Sequence, residues 1–251
     1  MDANSTRGEG SGEPLLLLPG LICDERIFAA QLAHFPQAQA AADYGDATTL
    51  EEMARRVLAT APARFALLGH SMGARVAVEI VRQAPARVAR LALASTGMHL
   101  PRDGEAAKRY WLRDLGRTKG HEALVDAWLP PMIGPASAFD HALHARLRAM
   151  CVEAGLDKFE AQIAALLARP ATEDVLGAVA VPTLIAVGAD DRWSPPAQHR
   201  AIAALIPHAR LVVIPGAGHM LPAERPAAFN AAIADWLALP IDPDLPEGEE
   251  K

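Results

Sequence analysis

The stretch Gly69-His70-Ser71-Met72-Gly73 decides the fold that we expect for this chain. An apolar run at residues 65–68 precedes it, and a helical pattern at residues 74–81 follows it. The order is therefore strand, tight turn and helix, with a serine at the apex. Bulky side chains two residues before or after that serine would collide with the strand and helix, so glycine is expected at both places. The turn holds Oγ clear of the sheet, and the helix offers backbone N–H groups to a developing negative charge.

Composition indicates one α/β domain, or one domain with an insertion. The chain has 251 residues, 51% of them apolar, so a large core can form. Its formal charge is -6, and no block of Lys and Arg occurs, so we expect neither nucleic acid nor a membrane as a partner. Cys23 and Cys151 have no metal-ligand spacing. A reducing cytoplasm is therefore the expected location.

Both ends of the chain are polar. Residues 1–13 are rich in Gly and Ser and lack the apolar segment of a secretory signal, so we expect a disordered N-terminal segment. Residues 240–251 are rich in Pro, Asp and Glu and predict an acidic, solvated tail. No apolar run has the length needed to cross a bilayer.

Short apolar runs alternate with helical patterns along the chain. Buried parallel strands are predicted at residues 15–18, 38–44, 65–69, 88–95, 183–187 and 210–214. Helices are predicted at residues 24–35, 72–84, 196–205 and 225–239. A further helix is expected to start at a capping box, Thr48-Thr49-Leu50-Glu51, and to end near residue 61.

The alternation is interrupted between the fourth and fifth strands. Residues 98–179 contain no convincing strand, and helical patterns lie at 105–115, 120–129, 137–154 and 156–168. This segment is too long for a simple connection, so we predict a helical cap inserted before the last two strands. Residues 14–97 and 180–239 then form an α/β core, with a mostly parallel sheet of about six strands and helices on both faces.

Three side chains follow strands and are expected at the same edge of this sheet: Ser71, Asp191 and His219. A serine hydroxyl needs a base within hydrogen-bond reach, and histidine titrates near neutral pH. A buried carboxylate then fixes the imidazole tautomer. The chain order Ser, Asp, His is the one expected of this architecture, so we predict a catalytic triad.

Each member of the predicted triad has a plainer interpretation. Ser71 could only cap its helix, Asp191 could be a carboxylate at a helix N-terminus, and His219 could be a surface histidine. Their shared position after three strands favours the triad. His141 and His144 lie one helical turn apart without an evident third ligand, so no metal is expected.

The chain resembles the α/β-hydrolase superfamily over nearly its whole length, and most of all the small, capped, cofactor-free esterases and lactonases of bacteria. The motifs that carry this resemblance are Leu-Leu-Pro-Gly at 17–20, Gly-His-Ser-Met-Gly at 69–73, Gly-Ala-Asp-Asp at 188–191, and Gly-Ala-Gly-His at 216–219 followed by Glu-Arg-Pro at 224–226.

The resemblance implies the rest of the site. It selects Asp191 over Asp190 as the acid, and it makes the backbone N–H groups of Leu21 and Met72 the donors of an oxyanion hole. Two departures matter. Many relatives have His-Gly where this chain has Pro19-Gly20, so we expect the backbone donor to be kept in a loop of different shape. Most also have an N-terminal β-hairpin, for which the polar residues before Pro14 leave no place.

Further side chains are candidates for the substrate pocket. His70 is expected to pack or to line the pocket, and Arg75, one turn after Ser71, is either exposed or binds a carboxylate. Some of the large apolar side chains of the cap should wall an acyl or alcohol pocket, together with Trp193: Trp111, Trp128, Met132, Phe139, Met150 and Phe159.

The resemblance implies a serine hydrolase of a small carboxylic ester, lactone or thioester, a monomer or homodimer without a cofactor. Two alternatives stay open. One is a C–C hydrolase or menaquinone-pathway-like lyase that uses the same triad on a polyanionic substrate. That lyase resembles this chain at Arg75. Its substrate would need arginines of the cap that face Ser71. Those available are Arg102, Arg109, Arg113, Arg117, Arg146 and Arg148. The other is a non-catalytic ligand-binding protein of the hydrolase fold.

Overall fold

A computed structural model describes residues 12–41 and 43–241 of the chain. The predicted N-terminal segment and the acidic tail fall almost wholly outside these residues. In the described part, six strands form one sheet: β1 (Leu15–Leu18), β2 (Ala38–Ala40), β3 (Phe65–His70), β4 (Val88–Ala94), β5 (Thr183–Gly188) and β6 (Arg210–Ile214). All neighbours pair in parallel, in the order β2-β1-β3-β4-β5-β6. The predicted fold, a parallel α/β sheet of six strands, is confirmed.

Burial explains why the strands read as continuous apolar runs. Every residue of β1, β3, β4 and β5 is buried, because helices cover both faces of a parallel sheet. β2 and β6 are the edge strands and are largely half-buried or exposed. β2 has only three residues, fewer than predicted, and it pairs with β1 alone.

Eleven α-helices occur in the described residues, and seven of them form two groups around the sheet. Their bounds are α1 (Ala29–His34), α2 (Leu50–Thr60), α3 (Met72–Gln83), α4 (Glu105–Lys119), α5 (His121–Trp128), α6 (His141–Ala154), α7 (Leu156–Leu167), α8 (Glu173–Gly177), α9 (Pro196–Leu205), α10 (Leu221–Glu224) and α11 (Pro226–Leu237). Helix α3 contacts α2 and α8, and α8 contacts α9, whereas α1 contacts α10 and α11. Right-handed crossovers place these two groups on opposite faces of the sheet.

Strand order creates a crevice at the carboxyl edge of the sheet. The chain goes from β1 to β2 in one direction and then returns to β3 on the other side of β1. The loops that follow β1 and β3 therefore diverge, and open α/β sheets bind ligands at such a point. This places the loop at residues 19–24 beside the serine turn.

Between β4 and β5 the chain is helical, as predicted. Residues 98–179, which we call the helical insertion, contain α4 to α8 and two 3-10 helices, Pro130–Met132 and Pro135–Ser137. Helix α4 contacts α5 and α7, and α5 contacts α6. That the helical insertion forms a separate cap domain stays a prediction. In the described residues, no helix is both long enough and apolar enough to cross a membrane.

Several helix starts differ from the prediction. The helix predicted from residue 24 begins as a 3-10 helix, Glu25–Phe28, and α1 follows from Ala29. The N-cap of α2 is Thr49, whose Oγ1 accepts a hydrogen bond from the N–H of Glu52 at 3.1 Å, so the predicted box at Thr48 is wrong by one residue. Helix α6 begins at His141 instead of residue 137, because the side chain of Asp140 accepts from the N–H of Leu143 and caps it.

Candidate active site

The serine turn has the strained geometry that its glycines predict. Ser71 has φ 55° and ψ −115°, a conformation that few non-glycine residues adopt. A Cβ on Gly69 would collide with Ala74, and a Cβ on Gly73 would collide with the carbonyl of Leu18. The N–H of Ser71 donates to the carbonyl of Ala94 at 2.8 Å, which anchors the turn to β4. The packing of strand and helix therefore holds the serine at the apex.

Ser71, His219 and Asp191 are joined by hydrogen bonds. His219 Nε2 lies 2.8 Å from Ser71 Oγ, and His219 Nδ1 lies 2.9 Å from Asp191 Oδ2. His219 is only 3% exposed and follows β6 in the loop at residues 215–220. Because a carboxylate only accepts, Nδ1 carries the proton, and Nε2 is left to accept the proton of the serine hydroxyl.

Asp191 is buried and held by its own loop. Its Oδ1 accepts from the N–H of Trp193 at 2.9 Å and from that of Ser194 at 2.7 Å. Burial opposes ionisation, but His219 and the Ser194 N–H outweigh it, so the pKa of Asp191 lies below its ordinary value. The neighbouring Asp190 makes no hydrogen bond to His219 within the described residues, and its backbone N–H donates to the carbonyl of Ala217. Of the two aspartates, it is Asp191 that the structure brings to His219.

Two residues near Ser71 have backbone N–H groups without an acceptor in the described part of the chain. Leu21 and Met72 line the cavity at Ser71, and neither N–H donates to an acceptor in residues 12–41 and 43–241. The loop that carries Leu21 is fixed on both sides. The Ile22 N–H donates to Gln162 Oε1 at 2.7 Å, and the Cys23 N–H donates to the carbonyl of Gly20. Ile22 has φ 47°, so this contact holds a strained turn.

Two buried histidines support the site. His70 Nε2 donates to the carbonyl of His219 at 2.8 Å, and burial, followed by the charge of His219, lowers the pKa of His70 to about 3. His199 Nε2 accepts from the N–H of Thr96, and Thr96 Oγ1 donates to the carbonyl of Ser71. Burial lowers the pKa of His199 to about 4. Both imidazoles are therefore neutral near pH 7, and sequence reasoning assigned His199 no role.

Glu224 ties the helical insertion to the histidine loop. Its carboxylate accepts from the N–H groups of Gly134, Gly218 and Met220 at 2.8, 3.0 and 3.1 Å. Burial raises its pKa, and the three N–H groups act in the opposite direction. The His219 N–H also donates to the carbonyl of Met132 at 2.7 Å. The sequence motif includes Glu224, but only the fold shows that it spans the two segments.

A cavity of about 360 Å³ lies against Ser71 and His219. Most of the predicted pocket residues line it: Arg75, Trp128, Met132, Phe159 and Trp193. Trp128 and Phe159 come from the helical insertion, so its helices form one wall of the cavity. The walls combine apolar side chains with charged ones.

Four of the pocket candidates do not line this cavity. Trp111 is 61% exposed, because the face of α4 that carries it turns to solvent while Leu112 beside it lines the cavity. His70 is buried behind the turn, where its ring packs against His219. Of the wider set of candidates, Phe139 is 89% exposed and Met150 lies in a separate groove.

Cationic side chains line much of the cavity. Besides Arg75 they are Arg102, Lys108, Arg109, Arg169 and Arg192, against the carboxylates of Asp103 and Glu105. Of the six insertion arginines singled out from the sequence, Arg102 and Arg109 line this cavity. The others lie elsewhere: Arg113 pairs with Asp114, Arg117 with Glu160 and Arg148 with Asp126, and Arg146 lines a separate groove. Arg169 and Arg192 belong to no motif and were missed.

Histidines outside the site make ordinary contacts. His144 Nε2 lies 3.0 Å from the carbonyl of Ser137. Across the described ranges, no three side chains of His, Cys, Asp or Glu come together as a possible metal-binding set.

The chain belongs to the alpha/beta hydrolase family, whose model matches residues 11–232. It is similar to a thermophilic esterase from Thermogutta terrifontis solved with malate bound, with 28% identity, a TM-score of 0.81, and coverage of 91% of this chain and 90% of the esterase. It is also similar to the enol-lactonase from Burkholderia xenovorans LB400, with 25% identity, a TM-score of 0.81, and coverage of 92% and 94%.

A third relative is named as part of a transferase, not as a hydrolase. The chain is 30% identical over 254 residues to the dihydrolipoyllysine-residue acetyltransferase component of the acetoin cleaving system of Pseudomonas putida. The match covers 92% of this chain and 64% of that longer protein. Family membership and the two hydrolase structures support hydrolase activity for this chain.

Proposed function

We propose that this protein is a serine hydrolase that cleaves a small carboxylic ester, lactone or thioester through an acyl-enzyme on Ser71. The observation that carries the proposal is the hydrogen-bonded series Ser71, His219 and Asp191 at the wall of the cavity. A hydroxyl, a neutral imidazole and an ionised carboxylate in this order form the arrangement that nucleophilic acyl transfer requires.

Acylation starts at Ser71. His219 Nε2 takes the hydroxyl proton while Oγ attacks the carbonyl carbon of the substrate. The charge that develops on the carbonyl oxygen lies at the N–H groups of Leu21 and Met72, and each such donor contributes about 2.7–4 kcal/mol to the transition state. Asp191 stabilises the imidazolium that forms. The tetrahedral intermediate collapses, and the leaving alcohol or thiol departs with the proton from His219.

Deacylation repeats these steps with water. His219, neutral again, takes a proton from a water molecule that attacks the acyl carbon. The same two N–H groups bind the second oxyanion. The bond to Ser71 Oγ then breaks, Oγ recovers its proton from His219, and the carboxylic acid leaves and gives up its own proton to water. For a lactone, the alcohol and the acid leave as one molecule.

Hydrolysis of a 4-nitrophenyl ester series, from acetate to dodecanoate, tests the proposal. We expect turnover with a maximum at one acyl length, because a cavity of about 360 Å³ limits the size of the acyl group. Ser71→Ala should lower kcat by at least about 10³-fold, since it removes the nucleophile. Circular dichroism and thermal melting of the variant show whether its fold is intact.

The response of Ser71 to a fluorophosphonate separates the competing functions. Labelling of Ser71 without turnover of any ester would contradict ester hydrolysis. Because cationic side chains line the cavity, that result would favour the second candidate, C–C cleavage or elimination of a polyanionic substrate by the same triad. Absence of both labelling and turnover in folded protein would favour a ligand-binding protein.

A further inference from the structure

Arg75 is a buried cation in the wall of the cavity. It lies on α3 four residues after Ser71, which is about 6 Å along the helix axis, and it is 7% exposed. Its Nη2 donates to the carbonyl of His99 at 3.2 Å. Its Nη1 is buried and has no hydrogen-bond partner in the described part of the chain. A guanidinium with one weak carbonyl contact is poorly compensated for its loss of water.

Glu105, a carboxylate whose charge acts on Arg75, already pairs with two other arginines. Glu105 Oε1 and Oε2 accept from Arg169 at 2.6 Å each, and Oε1 also accepts from Arg109 Nη2 at 2.9 Å. The side chain of Arg169 is 1% exposed, so this cluster is fixed in place. One carboxylate shared by two guanidinium groups leaves none for Arg75, and no carboxylate pairs with Arg75 in the described residues.

The cavity is positive in a protein that is acidic overall. Its lining has six cationic side chains against two carboxylates, whereas the chain carries a formal charge of -6. Burial, followed by repulsion from Arg169, lowers the pKa of Arg75 to about 9, so the group is still protonated at neutral pH. A cleft lined by one sign of charge concentrates ions of the opposite sign.

We propose that Arg75 anchors a carboxylate of the substrate, so that this hydrolase acts on an ester, lactone or thioester that carries a free carboxylate group. The inference rests on the proposed function and adds its substrate class. A guanidinium matches a carboxylate with two parallel hydrogen bonds, which orients the substrate as well as attracting it. A neutral, wholly apolar ester leaves the charge of Arg75 without a partner.

Matched pairs of esters test this specificity. The 4-nitrophenyl half-ester of adipic acid is compared with 4-nitrophenyl hexanoate, which places the carboxylate on the acyl side. Then 4-acetoxybenzoate is compared with 4-methylphenyl acetate, which places it on the leaving group. In one of the two pairs, kcat/KM should be about tenfold or more higher for the anionic ester, because hydrogen bonds between two charged groups are stronger than those between neutral groups.

Variants identify the anchor. In Arg75→Gln the anionic-to-neutral ratio of kcat/KM should fall towards one, and Arg75→Lys should keep part of it. Lys108→Gln removes an exposed positive charge from the same cavity and should keep the ratio within about threefold, since an exposed charge is screened. A ratio that survives in Arg75→Gln, or that falls equally in Lys108→Gln, would show that Arg75 is not the anchor.

Different experimental results would contradict the proposed function and this inference. Ser71-dependent hydrolysis with no anionic preference in either pair would overturn the inference and leave the hydrolase in place. If no ester is hydrolysed, calorimetry of Ser71→Ala with hexanoate and with the neutral hexanamide decides. Tighter binding of hexanoate that is lost in the Ser71→Ala, Arg75→Gln double variant supports the carboxylate anchor, and equal binding of the acid and the amide overturns it.

Discussion

At the scale of single residues, backbone geometry decides which of two like side chains reaches the histidine. Asp190 and Asp191 are adjacent, yet only the carboxylate of Asp191 reaches His219 Nδ1. The N–H groups of Trp193 and Ser194 hold it there, so its orientation does not depend on His219 alone. His219 is in turn held through its own backbone by His70 and Met132.

The two aspartates form a matched pair for mutation. Asp191→Asn should lower kcat by about 10⁴-fold, because an amide no longer selects the tautomer of His219 that can accept the serine proton. Asp190→Asn should cost less than about tenfold, since Asp190 contacts neither Ser71 nor His219. Steady-state kinetics on the best ester measures both. Similar losses in the two variants would show that the acid is assigned wrongly.

At the scale of elements, the helical insertion reaches the loop that carries a proposed oxyanion donor. Gln162 lies on α7, is 1% exposed, and accepts from the N–H of Ile22 beside Leu21. Glu224 links residue Gly134 of the insertion to the histidine loop. The insertion therefore touches both loops that must keep their shape for the proposed reaction.

Gln162→Leu should reduce kcat about tenfold or more with little change in KM. The substitution leaves the N–H of Ile22 buried without an acceptor, at a cost of about 1–3 kcal/mol, so the loop shifts and displaces the Leu21 N–H. Gln162→Glu keeps an acceptor and should recover part of kcat. The rate of fluorophosphonate labelling of Ser71 is a second readout. If only the melting temperature falls and kcat is kept, Gln162 has no part in positioning the loop.

At the scale of the whole molecule, a buried charge cluster joins distant parts of the insertion. Arg169 follows α7, Glu105 begins α4, and Arg169 Nε donates to the carbonyl of His99. Burial opposes ionisation of Glu105, but its hydrogen bonds with Arg169 and Arg109 outweigh it and lower its pKa to about 2. A lowered pKa means that the ionised carboxylate stabilises the fold. That contribution is complete above about pH 4.5 and is lost as the pH falls towards about 2.

Glu105→Gln should therefore destabilise the protein in a pH-dependent way. We expect a loss of about 2 kcal/mol at pH 7, below the 3–5 kcal/mol of a fully buried pair, because the Glu105 side chain is 18% exposed. The difference from wild type should shrink below pH 4.5, where Glu105 starts to protonate in the unfolded chain. Urea unfolding between pH 7 and pH 3 measures it. Glu122→Gln, which breaks an exposed pair with Arg148, should cost less than about 1 kcal/mol at every pH.

The sequence by itself determined the sheet, the serine turn and the order of the three polar residues. These features are written in consecutive residues: buried strands read as apolar runs, and the glycine at 69 is required by the backbone of Gly73 and Ala74 within the same turn. Sequence patterns did not predict which side chains of a helix point into the cavity. Trp111 and Leu112 are neighbours on α4, and only packing decides that Leu112 lines the cavity.

Only the tertiary structure decided the contacts between segments far apart in the chain. Gln162 and Ile22 are separated by 140 positions, and no local pattern relates them. Arg75 likewise has no carboxylate partner in the described residues because Arg169 and Arg109 both pair with Glu105. That arrangement follows from how α4 and α7 pack. Short-range sterics and hydrophobic burial act through neighbours in sequence, whereas charge compensation in a cavity acts through neighbours in space.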